Sequence, residues 1–151
     1  MLRLWWKLEI LVRLRLKNSR MAELKMNKLK IAGLAFVFLW FMGGGVMHFI
    51  TPEFFLAIMP PSLPYHEAAV VISGVFEILG ALGLLFQRTR RMAGIGLFVL
   101  TVAVSPANIY MSLNPEIFPD VSEIALTVRL VIQLLLLACI WWSTTADTKT
   151  E

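Results

Sequence analysis

The chain has 151 residues, of which 58% are hydrophobic and 16% charged, where an ordinary soluble domain carries roughly 25% charged residues. With a mean hydropathy of +0.75 there is too little polar surface for a water-soluble fold, and the length allows one domain. The single cysteine, Cys139, excludes an intrachain disulfide, a CxxC pair and any multi-cysteine metal centre.

In chain order, residues 1–28 form a Leu- and Arg-rich basic extension. Either it lies on anionic lipid as an interfacial amphipathic helix, or translation begins at Met21 or Met26 and MNKLK directly precedes the first span. The membrane domain is expected over residues 29–143, with a tail over 144–151. Four apolar stretches of 19 or 20 residues, Ile31 to Ile50, Ala68 to Phe86, Met92 to Met111 and Ile124 to Trp142, are long enough as helices to cross a hydrocarbon core of ~30 Å. None alternates apolar and polar residues as a barrel strand must. The fold class expected is therefore all-α: a polytopic, four-transmembrane-helix bundle with short outer interfacial helices.

Between the first two spans, Thr51-Pro52-Glu53-Phe54-Phe55 reads as a helix start, with Thr51 as N-cap and Pro52 at the first helical position, and Pro60-Pro61 as its stop. Phe54, Phe55, Ile58 and Met59 would form its apolar side, capping the bundle or lying among headgroups. A second phrase, Asn114-Pro115-Glu116-Ile117-Phe118-Pro119, follows the third span and hints at two parallel repeats.

Nine of the fourteen Lys and Arg precede Ile31, three are Arg88, Arg90 and Arg91, and Lys149 follows the last span. Connections 51 to 67 and 112 to 123 hold acidic residues but no Lys or Arg. The positive-inside rule then makes both termini and the 87 to 91 turn cytoplasmic. The net charge of +4 reports membrane orientation, and no nucleic-acid partner is expected.

Ionisable groups inside spans cost at least ~2.5 kcal/mol each and usually face a bundle interior. His48, Glu77, Asn108, Arg129 and Gln133 all fall in the outer half of the expected bundle and form a candidate polar pocket. Helix rise puts Arg129 about one turn above Glu77, roughly 6 Å, so a buried Glu77 to Arg129 contact is expected, with Gln133 placed to join it. That pair would either fix which helices meet or serve a small-molecule or proton site. Gly43-Gly44-Gly45 and Pro106 weaken the helices at this end. Two histidines, His48 and His66, are too few for a dedicated metal centre.

Five phrases in order, GVMHFITPEFFLAIMPPSLPYHE (45 to 67), SGVFEILGALGLL (73 to 85), RTRRMAG (88 to 94), SPANIYMSLNP (105 to 115) and VRLVIQ (128 to 133), resemble the DoxX-like family of small bacterial membrane proteins. The resemblance implies a four-helix bundle in the bacterial inner membrane. Its relatives are linked to quinone-coupled thiosulfate oxidation, oxidative-stress complexes and receptor assembly, and it supplies no catalytic residue to carry across. The functions expected are, first, a non-catalytic membrane subunit or assembly factor with a protein partner or a homo-oligomeric state; second, a redox subunit binding a quinone or small sulfur compound in the outer pocket; third, a small-molecule or proton carrier.

Overall fold

The computed structural model describes Glu9, Arg13, residues 28–119 and residues 121–145. The expectations for the N-terminal extension and for most of the tail lie outside these residues. Among residues 28–145 six α-helices are described in order, α1 (Lys28–Ile50), α2 (Pro52–Ala57), α3 (His66–Leu85), α4 (Arg90–Ala103), α5 (Ser105–Leu113) and α6 (Glu123–Thr144), with a 3-10 turn at Pro115–Ile117. No strand occurs among the described residues. Taking α4 and α5 as one 24-residue unit, four helices among the described residues are long and apolar enough to cross a membrane.

Each boundary has a local cause. Within the described residues helix α1 already includes Lys28, ahead of the expected Ile31; Lys30 is buried and its Nζ donates to Thr145 O at the end of α6 (3.0 Å), meeting a helix C-terminus with a cation. Ser122 caps α6 by accepting from the Ala125 amide (3.2 Å), with Glu123 in the first turn. At the α3–α4 turn, Thr89 Oγ1 donates to Gly83 O and Arg90 Nε to Leu84 O, satisfying carbonyls that the ending helix leaves free. Tyr65 enters α3 in the left-handed region (φ 56°); His66 Nε2 lies 3.0 Å from Pro60 O and ties the preceding loop.

Two local expectations are corrected. Thr51 occupies the N-cap position of α2 and Pro52 the first helical one, but the Thr51 hydroxyl turns back to Met47 O (3.2 Å) and does not cap. Helix α1 runs unbroken through Gly43-Gly44-Gly45. The break occurs in the third span, at Val104 (φ −87°, ψ −4°), where Pro106 lacks the amide that would continue the ladder.

The four long units form a square, α1 beside α3, α3 beside α4, the α4/α5 unit beside α6, and α6 beside α1. Helices α3 and α6 therefore stand on a diagonal. One core cluster gathers Leu34, Val37 and Phe41 from α1 with Ala81, Leu84, Leu97, Leu136 and Ile140. A smaller one, Ile58, Ala107, Met111 and Leu126, lies toward α2. The outer faces are apolar as well, with Leu39, Leu79, Val99, Leu134 and Leu135 all exposed.

Candidate functional site

At the α2 end the bundle opens into a cavity of about 1120 Å³ lined by all five polar residues singled out in the sequence, together with Phe54, Phe55 and other apolar side chains. The polar residues divide between two walls.

On the α1/α3 wall, the backbones meet closely because both are glycine at the crossing. A Cβ on Gly45 would lie 2.9 Å from Gly74 O, and one on Gly74 would lie 2.7 Å from His48 Cβ. This approach sets His48 and Glu77 face to face, with Nε2 3.6 Å from Oε1. Gly44 leaves room for the carboxylate, since a Cβ there would sit 2.8 Å from Glu77 Oε2. The His48 ring stacks on Phe55 with centroids 3.7 Å apart, and its Nδ1 is buried without a hydrogen-bond partner.

On the α5/α6 wall, the polar side chains form a continuous chain. Arg129 Nε donates to Asn108 Oδ1 (2.9 Å), Asn108 Nδ2 to Gln133 Oε1 (2.5 Å), Gln133 Nε2 to Ser105 Oγ (2.5 Å), and Ser105 Oγ to Thr101 O (3.0 Å). Each amide donates on one side and accepts on the other, which fixes its orientation. Arg129 and Gln133 sit one turn apart on α6, and Thr101, Ser105 and Asn108 recur at i, i+4 and i+7 along the third span, so the two stripes face each other. The Arg129 guanidinium carbon also lies 5.7 Å from the centre of the Phe54 ring, within range of a cation–π contact.

The expected Glu77 to Arg129 contact does not form. Both residues line the cavity, but α3 and α6 are diagonal neighbours, Glu77 faces His48 and Arg129 is committed to Asn108. Depth along the axis, which helix rise supplies, brought them to within about one turn; angular position around the bundle kept them apart. Between them runs an aromatic path under α2: Arg129 over Phe54, Phe54 edge-on to Phe55 at 5.4 Å, and Phe55 stacked on His48.

Ser105 was missed in the sequence. Its signal was the Thr101-Ser105-Asn108 spacing, which continues the polar face of Asn108 by a turn. Among the described residues no group of three or more His, Cys, Asp and Glu side chains could hold a metal ion.

A family model described as a domain of unknown function (DUF8561) matches residues 36–144. The chain belongs to the DUF8561 family. This corrects the DoxX-like resemblance: no match to that family accompanies it, and Gly-containing apolar phrases such as SGVFEILGALGLL recur wherever membrane helices pack closely. Every polar residue of the cavity and the whole of α2 lie inside the DUF8561 region, whereas the basic extension lies before it. No curated protein and no solved structure matches the chain.

Proposed function

We propose that this DUF8561 protein is a multi-pass membrane protein whose outer half holds a binding site for a small amphipathic molecule. The apolar exterior supports the membrane setting. At most 28% of the most apolar window of any of the four long helices is buried inside the bundle, and so large an apolar surface needs lipid, or further copies, to cover it. The charge pattern supports cytoplasmic termini, with Arg88, Arg90 and Arg91 at the same end and the cavity at the other. The bacterial inner-membrane placement came with the DoxX-like resemblance and is set aside with it.

One observation carries the binding reading: the cavity places oriented polar groups on two opposed walls and an apolar lining between them. That is the usual make-up of a small-molecule site, a few convergent polar groups in a mostly apolar concavity. A subunit that only holds a partner protein has no need of a hydrogen-bonded chain aiming a guanidinium into its own interior. A partner-holding role is compatible with the binding site but is not what the cavity itself favours.

The test is native mass spectrometry of the full-length protein extracted in mild detergent. A small molecule retained near one to one, and lost in Arg129→Gln, is the expected result. A stoichiometric protein partner with no small molecule in any preparation would replace this reading with the subunit one.

A further inference from the structure

The two walls differ in charge, and neither charge is neutralised by the other. Arg129 spends one N–H on Asn108 and lays its face on Phe54; among the described residues no carboxylate meets its remaining donors. Across the cavity, among the described residues, the Glu77 carboxyl makes no side-chain hydrogen bond and meets the His48 ring at 3.6 Å, longer than a hydrogen bond. The His48 Nδ1 on the far side of the ring is buried without a hydrogen-bond partner. The carboxyl group thus stands on one wall and the guanidinium on the other, each held by its own neighbours and not by the other.

Leaving two part-buried charges short of partners is costly in so apolar a setting, yet the packing enforces it. Gly44 makes space for the carboxylate, and the Asn108-Gln133-Ser105 chain holds the guanidinium on its own wall. A singly charged anion would satisfy Arg129 and leave Glu77 bare, and a singly charged cation would do the reverse. Only a ligand bearing both charges completes both walls.

We propose that the cavity binds a zwitterion, its anionic group on the Arg129 guanidinium and its ammonium on the Glu77 carboxylate, with an apolar body against Phe54, Phe55 and the remaining lining. This rests on the reading of the cavity as a ligand site. The guanidinium fork suits a carboxylate or phosphate, and the Glu77 carboxyl suits an ammonium. A phosphoethanolamine lipid headgroup and a free apolar amino acid share this chemistry.

The experiment measures retention of defined probes by the full-length detergent-solubilised protein in native mass spectrometry. The lipid arm compares phosphatidylethanolamine with its N-acetyl derivative, and the free arm compares phenylalanine with N-acetylphenylalanine; acetylation removes the ammonium and keeps the anion. In one arm the zwitterion should be held about tenfold better than its acetylated form, as expected for loss of one charged contact, and the arm that responds identifies the source. Glu77→Gln should bring that ratio close to one while leaving the acetylated probe bound. Gly44→Ala, which keeps the charge but crowds Oε2, should lower the ratio as well and covers the case in which Glu77→Gln does not fold. Arg129→Gln should weaken both forms. Equal retention of zwitterion and acetylated probe by the wild type, or a ratio that Glu77→Gln leaves unchanged, would overturn the zwitterion and leave an anion site. Binding of no probe and no copurifying small molecule would overturn the ligand site itself.

Discussion

The two ends of the bundle are built on opposite rules. Where α1 starts and α6 finishes, small residues let the helices touch. Gly33 packs against the Trp142 ring and Ser143, Gly94 against the Thr144 side chain, and Gly83 against Ala93. Val37, Leu97 and Ile140 there are at most 1% exposed. The Ser143 and Thr144 hydroxyls return to Ile140 O on their own helix, so that even the polar side chains pack as apolar ones. At the α2 end the third span breaks at Val104, Glu77 and Arg129 stay apart, and the bundle opens into a cavity of about 1120 Å³. The contrast teaches that close helix packing and the polar cavity are separated along the helix axis. The packed end can hold the helices in place while the other end carries uncompensated polar groups.

Breaking the packed end should have the largest effect. Gly94→Val drives a branched side chain into Thr144 and should cost about 3 kcal/mol, seen as loss of monodisperse protein in detergent chromatography. Gly96→Val, two residues along with nothing within 4 Å of its Cβ, should leave the elution profile unchanged. Next, Leu97→Ala removes a side chain that is 1% exposed and should lower stability by roughly 2 to 3 kcal/mol in denaturant titrations. Phe55→Ala, at the other end, should change stability by no more than about 1 kcal/mol while removing the ring stacked on His48; ligand retention should fall. Smallest in stability is Asn108→Ala, which frees Arg129 from its wall. It should leave unfolding within about 1 kcal/mol of wild type and weaken ligand retention several-fold. If Leu97→Ala and Phe55→Ala gave equal losses of stability, the division between the two ends would fail.

Much of this layout was legible in the residues. Apolar runs of helical length marked the four long units to within two residues of the ends that lie inside the described residues, because hydropathy and rise per residue are one-dimensional quantities. His48, Glu77, Asn108, Arg129 and Gln133 were visible as polar residues in apolar runs, and all five line one cavity. What pairs with what was not legible. Helix rise gives depth but not which helices are neighbours, and the diagonal placement of α3 and α6 is a property of the whole packing. The Gly43-Gly44-Gly45 triplet read as a weak point, but the contacts that Gly44 and Gly45 permit lie on another helix and leave no mark in their own segment. The echo between Pro52-Glu53 and Pro115-Glu116 reflects a shared proline start. The first phrase grows into α2, while the second stops after one 3-10 turn, six residues before α6 begins.

The central claim is that Glu77 and Arg129 are kept for a ligand and not for each other. The most direct test is an unfolding double-mutant cycle in detergent on wild type, Glu77→Gln, Arg129→Gln and the double variant. The account predicts additive effects within about 0.5 kcal/mol and a double variant no less stable than wild type, as expected when two charges without mutual contact are removed. A coupling of about 1.5 kcal/mol or more, with both single variants destabilised and the double variant restored, would show a structural ion pair and contradict it.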